Sequence, residues 1–176
     1  MNKTLQYGTT AKILHWLIVA LLVVQYSIGW LMPDIHGTML PGTAMVTHIS
    51  IGITILVLIV LRLLWRLTHP VAPESSLPRW QRVSSEFVHW LLYVAVLATT
   101  LSGWIFASFR GWSIRYFFSV PLPMLASKSE AGVRFFDGWH QAMEWTLLVL
   151  IGIHVAAAIA HIFYYRDRIM QRMLWP

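Results

Sequence analysis

The sequence predicts an all-α integral membrane protein, a four-helix bundle whose helices run alternately up and down. Hydrophobic residues make up 57% of the 176 residues and charged residues only 11%, whereas soluble domains carry about 25% charged residues. Because backbone polar groups in lipid must be paired within their own segment, apolar stretches of about 20 residues are predicted to be helices. Four such stretches are present, over residues 13–32, 44–64, 87–109 and 141–165. The chain length predicts a single domain over residues 1–176.

The first span is predicted to be a retained membrane anchor and not a cleaved signal peptide. Its apolar run is longer than the core of a signal peptide, and the residues that follow, PDIHGTMLPG, lack a small-x-small cleavage site. The longest loop, residues 110–137, separates the third and fourth spans. Its portion GWSIRYFFSVPLPML is aromatic and amphipathic, which predicts that this loop lies at the membrane interface.

Basic residues are distributed unequally between the two sides of the predicted bundle. Four crossings bring both termini to one side, and that side holds nine of the thirteen lysines and arginines: Lys3, Lys12, Arg62, Arg66, Arg79, Arg82, Arg166, Arg168 and Arg172. The other side holds Arg110, Arg115, Lys128 and Arg134. The positive-inside rule then places both termini in the cytoplasm. This asymmetry accounts for the net charge of +6, so lipid is a predicted partner and nucleic acid is not.

Four histidines lie in the apolar segments at two depths. His140 and His154 are fourteen residues apart on one predicted helix, so their imidazoles point to nearly the same side, about 21 Å apart. Because the helix directions alternate, His48 lies at the outer level of His140 and His15 approaches the inner level of His154. Ionisable side chains in a membrane span are costly and are retained mainly for function.

This arrangement predicts two b-type haems, one held by His48 and His140 and one held by His15 and His154. A bis-imidazole haem takes one ligand on each face, and bundles build such sites from facing helices. With both axial positions filled, the iron is suited to electron transfer rather than to oxygen binding. The absence of cysteine excludes a covalent c-type haem and cysteine-ligated iron–sulfur clusters. Alternatively, a lone membrane histidine could simply hydrogen-bond a carbonyl of a neighbouring helix. The presence of four histidines at two depths favours the haem interpretation over this alternative.

The inner haem has competing ligands in the sequence. His89 and His161 lie on the same side and could replace His15 or His154. The spacing within the fourth span favours His154, because it keeps both ligands of that helix on one face. His89 is then interpreted as a neighbour of a quinone site or of a haem propionate.

Other polar residues receive weaker assignments. Arg62 follows the second-span histidine by fourteen residues, so it could pair with a propionate or could snorkel to the membrane edge. Arg79 and Arg82 are hypotheses for the quinone end. His36 and His69 lie in loops and are expected in solvent.

A local repeat links the first and third spans. A His-Trp-Leu triplet is followed by Gly-Trp at the same interval, from His15 to Gly29 and from His89 to Gly103. A glycine on the side of the histidine would let a flat macrocycle approach the backbone. Close helix packing is the alternative role of a transmembrane glycine.

At these residues the chain resembles the bacterial cytochrome b561 family across all four spans. The resemblance rests on the early His-Trp at His15, on His48 at the start of the second span, and on the pair His140 and His154. In that family the fourth helix gives one ligand to each of two b-type haems, with partners on the first and second helices. The resemblance therefore implies these roles for the four histidines.

The resemblance also implies an activity and a location. Family members are bacterial inner-membrane proteins that pass electrons between a periplasmic donor and quinone, and stand-alone members look like superoxide oxidases that reduce ubiquinone. The outer basic residues agree with an anionic donor, since they would raise its local concentration. Alternatively, Glu130 and Asp137 offset these charges, or the patch docks a partner protein.

Three alternative functions remain from the sequence. The chain could be a b-type anchor subunit of a dehydrogenase or hydrogenase, as in membrane formate dehydrogenases and nickel–iron hydrogenases. It could be a haem-free, histidine-lined metal or proton transporter. A small periplasmic redox protein could replace superoxide as the donor. Homo-oligomerisation is left open.

Overall fold

The computed structural model describes residues 6–33, 39–71 and 77–175. Four helices dominate it, α1 (Thr9–Leu31), α2 (Thr43–Thr68), α3 (Arg79–Phe109) and α4 (Glu130–Phe163). Between α3 and α4 lies a two-stranded antiparallel hairpin of β1 (Arg115–Tyr116) and β2 (Val120–Pro121), and after α4 comes a 3₁₀ turn over Met170–Arg172. All four helices are long and apolar enough to cross a membrane. The predicted four-helix membrane bundle is confirmed.

The helices α3 and α4 begin earlier than the predicted spans. Helix α3 starts at Arg79 and α4 at Glu130, whereas the apolar runs start at residues 87 and 141. The apolar runs mark only part of each helix, and the helices also include the residues before these runs, RWQRVSSE in α3 and EAGVRFFDGWH in α4. A local cap fixes the start of α4, because the Ser129 hydroxyl accepts a hydrogen bond from the Gly132 backbone N–H at 3.2 Å.

Contacts between helix ends establish the up-and-down topology. Arg62, late in α2, donates a hydrogen bond to the carbonyl of Ala11, early in α1. Tyr26, late in α1, donates to the carbonyl of Glu144, in the first half of α4. Ser102, late in α3, contacts His140 in the same half of α4. We call the end that carries both chain termini the terminal end and the end that carries β1 and β2 the hairpin end.

The bundle core centres on α2. Ile51, Ile55 and Ile59 are buried at intervals of four residues, and this spacing places them on one face of the helix. They pack in one cluster with Tyr93 of α3 and Leu147 of α4. Many other apolar side chains of the helices are exposed in the isolated chain, as expected where lipid rather than protein covers the surface.

The loop between α3 and α4 packs along the side of α2. The Ser50 hydroxyl, fully buried, accepts the Phe117 backbone N–H at 2.9 Å, and the Tyr116 hydroxyl lies 2.9 Å from Thr54 Oγ1. Thr54 is eleven residues beyond the start of α2, about 16 Å along its axis. The hairpin therefore packs along about the first three turns of α2.

The end of the chain returns to α1 at the terminal end. Lys12 is only 4% exposed, and its ammonium group donates to the Leu174 carbonyl at 2.6 Å. The Trp16 indole donates to the Met173 carbonyl at 3.1 Å. These bonds hold the last turn of the chain beside the first turns of α1.

Candidate functional site

Three histidines from three helices meet at the terminal end, and we call them the terminal-end cluster: His15, His89 and His154. The ring centres of His15 and His154 are 6.4 Å apart, and those of His89 and His154 are 5.3 Å apart. All three rings are partly buried. The structure therefore brings together the two predicted inner ligands and one of the two competing histidines.

Arg62 joins the terminal-end cluster from α2. Its guanidinium lies close enough to interact electrostatically with all three imidazoles, and it hydrogen-bonds Tyr93 and the Ala11 carbonyl. Among the residues that the structure describes, the two salt bridges are Arg134–Glu130 and His161–Asp167, so neither involves Arg62. Its charge is thus held beside the imidazoles by neutral groups.

The other two predicted ligands, His48 of α2 and His140 of α4, lie at the hairpin end. We call them the hairpin-end pair, and they are close enough for an electrostatic interaction. The His140 ring lies against α3, where its Nδ1 atom is 3.0 Å from Ser102 Oγ. A Cβ atom added to Gly103 would lie 2.8 Å from His140 Cε1. The His140 ring therefore occupies the space that the side chain of any residue other than glycine at position 103 would fill.

His48 is held from α1. Its Nε2 atom is 3.0 Å from the side-chain amide nitrogen of Gln25, which can only donate. A Cβ atom added to Gly29 would lie 3.5 Å from His48 Cε1. The Nδ1 atom of His48 is buried and has no hydrogen-bond partner within the described ranges.

The two glycines of the repeat therefore adjoin imidazoles. Gly29 lies next to His48 and Gly103 next to His140, so each predicted ligand at this end lies beside a helix surface that lacks a side chain. The imidazole rings themselves occupy the space beside the two glycines, so these glycines make room for the rings of the predicted ligands. The donor set fits a b-type haem, since each end offers imidazoles from different helices.

The remaining sequence candidates lie away from these groups or have other partners. His161 Nδ1 is 2.6 Å from the Asp167 carboxylate, and this pair closes the turn after α4. The exposed His69 ring stacks on Trp65 with ring centres 3.8 Å apart. Arg79 and Arg82 are exposed on the first turns of α3, two to three turns before His89. His36, like Lys3 and Asp34, lies outside the described residues.

Three basic residues at the hairpin end are exposed. They are Arg115, Lys128 and Arg134, and in the described chain the Glu130 carboxylate lies 3.9 Å from Arg134. The Arg110 guanidinium lies 4.9 Å from the centre of the Trp112 ring. We call Arg110, Arg115, Lys128 and Arg134 the basic surface.

Sequence reasoning missed two polar residues at the hairpin end. Gln25 and Ser102 each contact a histidine ring, yet neither stands out in the sequence. Small polar residues are common in membrane helices, and only the packing of α1 on α2 and of α3 on α4 selects these two. The one available signal was the position of Ser102 immediately before Gly103.

Comparisons with known proteins agree with this geometry. A family model described as prokaryotic cytochrome b561 matches residues 6–176. Cytochrome b561 homolog 2 of Escherichia coli (strain K12) is 27% identical, over 98% of this chain and 93% of that protein. The probable superoxide oxidase CybB of Yersinia pestis is 28% identical, over 92% and 91% respectively. Cytochrome b561 homolog 1 of E. coli (strain K12) is 26% identical, over 96% and 97%. The chain belongs to the prokaryotic cytochrome b561 family and is a membrane electron-transfer protein of the b-haem type.

Proposed function

We propose that this chain is a two-haem superoxide:ubiquinone oxidoreductase of the bacterial inner membrane. The observation that carries the proposal is the presence of imidazoles from facing helices at both ends of one bundle. His15 and His154 would hold one haem b, and His48 and His140 would hold the other. When bound, each haem supplies a centre that accepts and releases one electron.

Distances at the terminal end favour His15 over His89 as the partner of His154. Two imidazoles that held one metal ion between them would have ring centres roughly 6 Å apart, because a metal–nitrogen bond is about 2 Å long. The separation of His15 and His154 is 6.4 Å, whereas that of His89 and His154 is 5.3 Å. His89 is then a neighbour of the site, free to contact a propionate or a quinone.

The two half-reactions balance when two superoxide anions each give one electron and one ubiquinone takes up both. Two superoxide anions each lose one electron and become O₂, and ubiquinone takes up two electrons and two protons to become ubiquinol. A protein with two one-electron centres is suited to join a one-electron donor to a two-electron acceptor. The name of the Y. pestis relative supports superoxide as the donor.

The basic surface supports entry of an anion at the hairpin end. Exposed arginine and lysine side chains raise the local concentration of small anions and speed their encounter. With both termini cytoplasmic, as the positive-inside rule indicates, this surface faces the periplasm. Ubiquinone would be reduced towards the terminal end, near His89 and Arg62, with Arg79 and Arg82 further out on α3.

The test follows haem and quinone together. We expect the purified haem-loaded protein, mixed with superoxide and a short-chain ubiquinone analogue, to form one ubiquinol for every two superoxide anions consumed. We expect His140→Ala and His154→Ala each to remove one of two haems and to abolish this coupling. His69→Ala, which changes an exposed histidine, is the matched control and should keep both.

Several results would overturn the proposal. A pure protein without a reducible Soret absorption, or one that keeps both haems in both variants, contradicts the ligand assignment. Quinone reduction by a small redox protein but not by superoxide contradicts the donor. Co-purification with a dehydrogenase or hydrogenase subunit, without superoxide activity, would identify an anchor subunit instead.

A further inference from the structure

Among the described residues, Ser102 has the side-chain hydroxyl that lies against a proposed haem ligand. It is 3% exposed, lies on α3 one residue before Gly103, and its Oγ atom is 3.0 Å from His140 Nδ1. The sequence alone assigns Ser102 no role. The inference below rests on the proposed function, in which His140 is a haem ligand.

The hydrogen-bond partners of Ser102 determine the direction of this bond. The hydroxyl also lies 2.9 Å from the Thr99 carbonyl oxygen, which can only accept. A serine hydroxyl has a single proton, and the Thr99 contact uses it. The oxygen therefore accepts from His140, so the proton of the neutral imidazole sits on Nδ1.

The tautomer decides which ring nitrogen of His140 can bind a metal. With Nδ1 protonated, the lone pair of His140 lies on Nε2. That nitrogen is then the one available to bind iron.

His48 differs from His140 in this respect. Its Nε2 atom accepts from the Gln25 amide, and its Nδ1 atom lacks a partner in the described part of the chain. In the hairpin-end pair, the Ser102 oxygen therefore fixes the Nδ1–H of His140. No acceptor in the described chain fixes the Nδ1 atom of His48.

We propose that Ser102 is a positioning residue that fixes the tautomer and orientation of His140 and lowers the reduction potential of the hairpin-end haem. An acceptor on the outer N–H of a ligating imidazole makes the ligand more basic, and loss of such partners typically weakens metal binding by about 10–100-fold. A more basic ligand stabilises the oxidised form of the haem. Ser102 contacts a proposed ligand at the hairpin end only, so the haem at the terminal end should not respond to a change at Ser102.

The experiment measures both reduction potentials in the haem-loaded protein. We expect Ser102→Ala to raise only the potential of the hairpin-end haem and to speed loss of that haem by roughly 10-fold or more. Ser102→Thr, which restores the hydroxyl, should return both values towards those of the parent protein. Thr100→Val is the control on the same helix, since in the described chain the Thr100 hydroxyl bonds backbone carbonyls of its own helix.

Each outcome decides the inference. Three results for Ser102→Ala would overturn the proposed role of Ser102. They are no change in either reduction potential, an equal shift of both potentials, or a lower potential of the hairpin-end haem. Ser102→Ala could lose the hairpin-end haem altogether, and Ser102→Cys then gives the same comparison, because a thiol is a much weaker acceptor than a hydroxyl. An unshifted potential of the hairpin-end haem in Ser102→Cys would overturn the proposed role of Ser102.

The inference and the proposed function fail in different ways. His48→Ala identifies the hairpin-end potential by removing that haem. If His48→Ala and His140→Ala do not remove the same haem, the ligand assignment itself is wrong. If they do and Ser102→Ala shifts nothing, only the role of Ser102 is wrong.

Discussion

The two ends of the bundle hold their histidines in different ways. At the hairpin end each ring has its own polar contact and its own glycine: Ser102 and Gly103 for His140, Gln25 and Gly29 for His48. At the terminal end three rings share one space beside Arg62. Shape and hydrogen bonds thus specify the hairpin end, whereas the terminal end is specified by ring spacing and charge.

The largest expected effect tests the role of shape at the hairpin end. Gly103→Ala should displace the His140 ring, because the new Cβ would lie 2.8 Å from Cε1, closer than side chains tolerate. Haem content per chain, measured by the Soret band, should fall to about half of the parent value if two haems are bound.

The matched variant is Gly29→Ala. Its new Cβ would lie 3.5 Å from His48 Cε1, an ordinary van der Waals distance. We expect nearly full haem content in this protein. Equal losses from the two variants would mean that ring clearance does not distinguish the two glycines.

The next effect concerns charge at the terminal end. Arg62→Gln should lower the reduction potential of the terminal-end haem, because a nearby positive charge favours the reduced, more negative state. A tenfold change in a one-electron equilibrium corresponds to about 59 mV, and we expect a shift of about this size in a spectroelectrochemical titration. The hairpin-end potential should move less.

Arg82→Gln is the control for this variant, since Arg82 is exposed at the start of α3. Solvent and salt screen an exposed charge, so neither potential should move appreciably. A hairpin-end shift as large as the terminal-end shift would contradict the placement of Arg62.

The smallest effect concerns the exposed charges at the hairpin end. Replacing Arg115 and Lys128 together by serine should slow superoxide oxidation several-fold at low ionic strength, because steering by surface charge is lost. The difference should shrink as salt shortens the Debye length to about 10 Å at 0.1 M. Stopped-flow rates across a salt series measure it. A rate difference independent of salt would point to a direct contact and not to steering.

Several features of the molecule could be predicted from particular residues. The apolar runs indicated all four helices, and the interval between His140 and His154 indicated two levels of imidazoles. The inner level was ambiguous, because the predicted topology puts His89 and His161 on the same side of the membrane as His15 and His154. The structure separates them, since His161 pairs with Asp167 whereas His89 lies beside His154.

The sequence by itself determined the membrane class, the four spans and the two depths of the histidines, because hydropathy and the rise per residue are local properties of a helix. Tertiary structure decided which groups touch the rings. Gln25, Ser102 and Arg62 reach them from neighbouring helices, and the rotation of each helix about its axis depends on how the whole bundle packs. The return of Leu174 to Lys12 is a contact of the same long-range kind, which no local pattern encodes.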